Sequence, residues 1–361
     1  MEKNILALLE KLVEFRSVSS DKEEGAKIIN YVADYLNNEN VFVKRYSNDG
    51  FASLLVYSKN HTINKPFRLL LNAHLDVVPA SQELFKLKIK GNKAFGRGTY
   101  DMKGSAAAMI ELFKNLSEKN ELPDDVGLLL VTDEEIGGFS GAKLFSEKKD
   151  AETRFFLGGE PTNMKILTAH KGILKITVTQ RGKSAHGSRP WEGSNANVTL
   201  AESISRFYKD NPIPKKEMWA TTYSLNLMNG GTTFNVVSDY AEATFDIRRI
   251  YEDKSEKIIS TIKKYFPQAE IKVVMNEPGL ETNSIVPEVK KLAQILKKYN
   301  KGKNVFIRDT YATDGRFYSA KKIPAIHFGL RGGAMHQEGE WVDIKSLSPY
   351  YKALQEFLLH V

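Results

Sequence analysis

The sequence predicts an α/β protein in which a sheet is covered by helices on both faces and a smaller α+β domain is inserted. Apolar, strand-like runs alternate with helix-period stretches up to residue 170, the order expected of such a sheet. From 171 to 277 the order becomes strand, helix, two strands, helix, strand, that of a split ferredoxin-like unit. From 278 the first texture returns. The chain therefore divides into a discontinuous larger domain, 1–170 with 278–361, and a smaller one, 171–277.

Each element has a local reason. Residues 3–15 place Ile5, Leu8, Leu9, Leu12 and Val13 at helical spacing, and 22–38 repeat the pattern with Ile28, Ile29, Val32 and Leu36. Phe51–Tyr57 and Phe67–Leu71 are apolar and β-rich, and the second runs into Asn72-Ala73-His74. An Ala-rich helix is expected over Asp101–Leu116 and a buried strand over Val126–Thr132. In the insertion, Ile173–Gln180, Ser224–Met228, Ala241–Ile250 and Ile271–Val274 read as strands, with helices at Asn195–Tyr208 and Ser255–Tyr265. The remainder offers a helix at Pro287–Tyr299, a strand at Ala325–Gly329 and a final helix starting at Ser348-Pro349, a favourable cap and first-turn pair.

Composition narrows the function classes. Hydrophobic residues make up 42% and charged residues 27%, a globular balance. No apolar run approaches the roughly 18 residues of a membrane span. The opening stretch meets Glu10, Lys11 and Glu14 without an apolar leader core, so a cytoplasmic protein with no membrane partner is expected. Zero cysteines exclude disulfides, thiolate metal sites and a Cys nucleophile. The net charge of +8 is scattered and lacks interleaved aromatics, so a solvated surface is expected and no nucleic-acid partner.

Five stretches carry candidate chemistry: His74-Leu75-Asp76, Asp101 before its helix, Asp133-Glu134-Glu135, Glu160 after Phe155-Phe156-Leu157, and His336. Singly each has an ordinary explanation, such as a polar strand end, an N-cap or a turn residue. Together they form a set, mostly at the ends of apolar runs where α/β sheets build their sites. Two histidines and three carboxylates suit two borderline cations such as Zn²⁺. A cation pair needs a bridging carboxylate, and Asp101, the first of these three carboxylates after His74, is taken as the bridge. Asp76 would then orient the His74 imidazole, and Glu134 is left free as a base.

These stretches, with Gly-Arg-Gly-x-x-Asp-Met-Lys-Gly-Ser and Gly-Glu-Pro-Thr, resemble in order the dinuclear-zinc deacylase and exopeptidase family. Its members include succinyl-diaminopimelate desuccinylase, acetylornithine deacetylase, aminoacylase and glutamate-releasing carboxypeptidases. The resemblance implies a zinc-exopeptidase-like mixed sheet and an inserted domain that serves as lid and dimerisation surface. It implies two Zn²⁺, with Co²⁺ or Mn²⁺ as substitutes: His74, Asp101 and Glu160 on one, Asp101, Glu135 and His336 on the other. Glu134 is then the general acid/base, with Asp76 beside it.

In the inserted domain, Gly182–Ser188 resembles the segment whose histidine, here His186, reaches a neighbouring subunit's site in a homodimer. Asn235 and Arg248 lie in segments that resemble those gripping substrate. The expected reaction is amide hydrolysis by zinc-bound hydroxide on an N-acyl amino acid or short peptide. Thr313–Phe317 and Asp101–Ser105 resemble the desuccinylases more than the acetylornithine branch, and the expectation leans to the succinyl-diaminopimelate desuccinylase or acetylornithine deacetylase type. His170-Lys171-Gly172-Ile173 stands where desuccinylases carry Arg-Arg-Gly-Ser, and lysine offers no guanidinium fork. A dipeptidase or carboxypeptidase, or a silent binding module on the same fold, is the alternative.

Overall fold

The structure is a computed structural model and describes residues 1–62, 64–299 and 304–360. Ile63, residues 300–303 and Val361, all inside the larger expected domain, lie outside the described residues. The chain forms two compact units: Met1–Ala169 with Leu280–Asp309 and Thr313–Val361, and His170–Gly279 with Thr310–Ala312.

The first unit opens with helices α1 (Glu2–Glu14) and α2 (Lys22–Leu36), the latter capped by the Asp21 carboxylate, which accepts from the Glu24 amide. Strands β1 (Val41–Asn48), β2 (Phe51–Ser58) and β3 (Leu69–His74) follow, then short strands β4 (Lys88–Lys90) and β5 (Lys93–Phe95). Helix α3 (Lys103–Glu118), β6 (Val126–Val131), α4 (Ala142–Glu147), β7 (Phe156–Gly158) and β8 (Ile166–His170) complete the first half.

The second unit holds β9 (Gly172–Arg181), α5 (Ala196–Asp210), β10 (Thr222–Gly230), β11 (Tyr240–Arg249), α6 (Ser255–Tyr265) and β12 (Glu270–Glu277). Its sheet order, β10-β11-β9-β12, is antiparallel throughout and ferredoxin-like. The inward residues Leu174, Ile176 and Val178 of β9 alternate with half-exposed ones and pack with Phe207, Phe245 and Phe266.

The chain then adds β13 (Leu280–Glu281), α7 (Pro287–Lys297), β14 (Phe306–Asp309), α8 (Gly315–Ala320), β15 (Ala325–Phe328), β16 (Gly332–Gly333), β17 (Trp341–Asp343) and α9 (Ile344–His360) to the first unit. The main sheet runs β1-β2-β6-β3-β7-β15-β8-β13, with β14 on β8. Strands β6, β3, β7 and β15 are mutually parallel and the outer pairings β1–β2, β2–β6 and β15–β8 are antiparallel, so the sheet is mixed. Period-2 alternation divides its faces. Leu69, Leu71, Leu128 and Leu130 face α1, α2, α3, α7 and α9, whereas Leu70, Leu129 and Val131 face α4 and α8. No described helix is long and apolar enough to cross a membrane.

The last helix begins four residues earlier than Ser348-Pro349 suggests. Asp343 supplies the start: its carboxylate accepts from the Lys345 amide and its carbonyl from the Ser346 hydroxyl. Pro349 is thus accommodated inside the helix, just past its first turn. Strand β1 and the small sheet β16-β17-β5-β4 were not expected either.

Leu128 is fully buried on the helix-rich face. Leu128→Ala is expected to lower the unfolding free energy by about 2–5 kcal/mol. Val274→Ser, on an exposed position of β12, should stay within about 0.5 kcal/mol. Urea denaturation of the two variants checks this contrast.

Candidate metal centre

The parallel strands deliver their polar ends to one edge of the sheet. His74 is the last residue of β3, Glu134 and Glu135 follow β6 in a single 3-10 turn, and Glu160 follows β7 by two residues. Asp101 precedes α3 without capping it; Met102 takes the cap position, and the Asp101–Met102 peptide is cis. His336 sits in the turn before β17 with a left-handed φ of 62°, a conformation non-glycine residues rarely hold without a surrounding constraint.

Asp101 is the centre of the arrangement. Its Oδ1 accepts from His74 Nε2 at 3.1 Å and its Oδ2 from His336 Nε2 at 3.1 Å. His336 Nε2 also lies 3.1 Å from Glu135 Oε2, and His74 Nε2 lies 4.0 Å from Glu160 Oε1. One ligand atom each of His74, Glu134 and Glu160 falls within 4.8 Å of the others, as does one each of His74, Asp101 and Glu135. All six side chains are therefore gathered in the first unit. Glu134 is grouped with His74 and Glu160.

Asp76 does more than face the imidazole. His74 Nδ1 donates to the Asp76 carbonyl at 3.0 Å, and the carboxylate stands farther, at 3.5 Å. The carboxylate instead accepts from the amides of Glu134 and Glu135 at 3.3 and 3.1 Å and from the Ser19 hydroxyl at 2.7 Å. One residue thus orients the His74 ring through its backbone and holds the acidic turn through its side chain.

The electrostatics follow from crowding. Burial raises the pKa of Glu134, with the Glu160 and Asp314 charges adding to it. Burial likewise raises Glu160 and Glu135. Burial also opposes ionisation of Asp101, but hydrogen bonds from His336 and His74 outweigh it and hold that carboxyl well below the usual range. His336 is pushed up to about 10 by its bonds to Asp101 and Glu135. For His74, the bonds to Asp101 and Asp76 overcome burial and raise it. Glu135 Oε1 is buried and accepts no hydrogen bond from any described residue. Buried, mutually repelling carboxylates beside two imidazoles are relieved by cations. The all-nitrogen and oxygen donor set fits divalent zinc, cobalt or manganese.

Three acidic residues outside the expected set support the site. Asp133 accepts from the Ser140 and Gly141 amides at 2.7 and 3.1 Å, closing the loop after the acidic turn. Asp314 is buried, and burial pushes its carboxyl up to about 7, with Arg316 opposing. Arg316 donates to the Gly137 carbonyl at 2.6 Å. Glu340 accepts from the Asp101 amide at 3.1 Å. Their signal in the sequence was a carboxylate beside a recognised motif, with the partner far along the chain.

The expected residues of the insertion lie in the second unit. There His186 bridges to Val236, the neighbour of Asn235, and its Nδ1 lies 2.8 Å from the Ser188 hydroxyl. Asn235 Oδ1 accepts from the Thr233 hydroxyl at 3.0 Å. Arg248 makes a forked pair with Asp246 at 2.8 and 3.2 Å, two residues away on the same strand.

Known proteins match this chain over most of its length. A probable carboxypeptidase of Aspergillus clavatus is 29% identical over 287 residues, 73% of this chain and 66% of that protein. The chain therefore spans just under two thirds of that relative's length. A probable succinyl-diaminopimelate desuccinylase of Staphylococcus aureus is 29% identical over 294 residues, 72% of each chain. The structure of aminopeptidase PepT of Bacillus cereus superposes with a TM-score of 0.79 at 18% identity, covering 99% of this chain and 98% of that one, a likeness of fold. Residues 70–360 match the description peptidase family M20/M25/M40, from the second residue of β3, the strand that ends in His74, to the end of α9, and the chain belongs to that family.

Proposed function

We propose that this chain is a metal-dependent amide hydrolase with two divalent cations, zinc first among them, acting on an N-acyl amino acid. The observation that carries the reading is the Asp101 carboxylate, with one oxygen turned to each histidine and Glu135 and Glu160 alongside. His74, Asp101 and Glu160 would hold one cation and Asp101, Glu135 and His336 the other. When bound, the pair supplies Lewis acidity toward the amide carbonyl and a water acidic near neutrality.

The chain's own residues do the rest. Glu134 takes the proton of the attacking water and hands it to the departing amine. Burial and the neighbouring Glu160 favour its holding that proton between the two transfers. Asp76 keeps the Glu134 turn in register through the two amides. Arg248 and Asn235 are assigned to the substrate's carboxylate, and His186 of the partner subunit in a homodimer to the developing oxyanion.

The desuccinylase relative and Thr313–Phe317 favour a succinyl amide, with an acetyl amide next. A carboxypeptidase or dipeptidase activity is the second reading. It is favoured by the carboxypeptidase relative and by His170 and Lys171, both buried, where an arginine fork would clamp a succinyl carboxylate.

Amine release from N-succinyl-diaminopimelate, N-acetylornithine, other N-acyl amino acids and dipeptides, by zinc-loaded protein, tests these readings. Turnover confined to dipeptides selects the second. Glu134→Gln should lower kcat about 10²–10⁴-fold while both cations stay bound; loss of a cation would make Glu134 a ligand instead.

Chelation with EDTA should abolish turnover and lower the melting temperature. Restoring a cation at about 100 times its Kd should return about 2.7 kcal/mol of stability per site, read by thermal unfolding.

The outer strand β10 carries exposed Leu227 and Met228, which supports a homodimer through residues 171–277. Sedimentation should report twice the 40.7 kDa chain mass. Replacing Leu227 and Met228 together by lysine should leave the single chain.

A further inference from the structure

Glu340 is fully buried and lies four residues after His336. Its Oε1 accepts from the backbone amides of Tyr100 and Asp101 at 3.0 and 3.1 Å. Its Oε2 accepts from Arg97 Nη1 at 2.5 Å, and its carbonyl accepts from the Gly96 amide at 3.2 Å. On its own side, the Glu340 amide donates to Gln337 and the Gln337 amide to Ala334, which closes the turn that holds His336. Strand pairing of Trp341 with Phe95 and Val342 with Ala94 continues the same join.

Four bonds therefore tie the loop that ends in Asp101 to the turn that presents His336. We propose that Glu340, charge-balanced by Arg97, is the positioning residue that sets the spacing of these two cation ligands. The inference rests on the dinuclear reading above.

Carboxylate chemistry is needed at this position for two reasons. Buried Arg97 would be an unpaired cation without it. A carboxylate also has lone pairs for two amides on one oxygen and a guanidinium on the other. A glutamine keeps the amide acceptor and turns an NH₂ group toward Arg97. An aspartate keeps the charge and falls one methylene short of the Asp101 amide.

The test is a CoCl₂ titration of the metal-free full chain, followed by the visible absorption of bound cobalt, with the unfolding temperature of each metal-free protein measured beside it. Wild type should take up two cobalt ions per chain. Glu340→Gln should bind the pair about 10–100-fold more weakly, the range typical of groups that orient metal ligands, with shifted visible bands. Arg97→Lys, which retains a cation beside Glu340, should keep most of the wild-type affinity and the wild-type bands. A folded Glu340→Gln protein with wild-type affinity and bands would overturn the proposal. If Glu340→Gln does not fold, Glu340→Asp is titrated in its place, and wild-type behaviour there overturns it equally. Wild-type protein that binds no cobalt would overturn the dinuclear reading, and this proposal with it.

Discussion

Asp101 turns one oxygen to His74 and the other to His336, and those two histidines reach it from opposite ends of the sequence. A carboxylate shared in this way is useful only if both partners are held to a few tenths of an ångström. Burial raises the stakes, because a displaced partner leaves a charge in a low-dielectric interior. Much of the first unit can be understood as the means of holding that triangle.

The sheet supplies the first level of support. Parallel pairing of β6, β3 and β7 brings His74, the Glu134–Glu135 turn and Glu160 to the same edge, and the strands behind them are buried on both faces. Rigid strands fix where each side chain starts. Hydrogen bonds to backbone amides fix the turns: Asp76 holds the acidic turn, Asp133 the loop behind it, and Glu340 the approach to Asp101. Three carboxylates bonded to backbone amides thus support three that are suited to bind a cation.

The fold was largely legible because burial writes itself into apolar periodicity. The Leu-rich runs of β3 and β6 and the heptad-like faces of α1 and α2 announced themselves, and the ferredoxin-like order could be read strand by strand. Strand β1 escaped because it is an outer strand with charged and polar residues facing water, which weakens the alternation. The two- and three-residue strands of the small sheet have no period to detect. The candidate ligands stood out as His, Asp and Glu after apolar runs. The residues that hold them did not, since Glu340 or Arg316 acquires its meaning only from an amide or carbonyl that tertiary folding brings near. Ser348-Pro349 misled for a related reason: the true helix start depends on Asp343, placed by the strand before it.

The join between Arg97 and Glu340 closes over 243 positions of sequence, with the whole second unit lying between its ends. Loop closure on that scale is slow relative to the local pairings of a ferredoxin-like sheet. During synthesis the second unit can complete its sheet while the edge of the first still lacks His336, Glu340 and the covering helix α9. The acidic cluster would spend that interval without its second imidazole. Residues that follow the second unit in the chain are thus those that turn a group of strand ends into a candidate cation site, so synthesis halted between the two would leave much of the sheet and no centre.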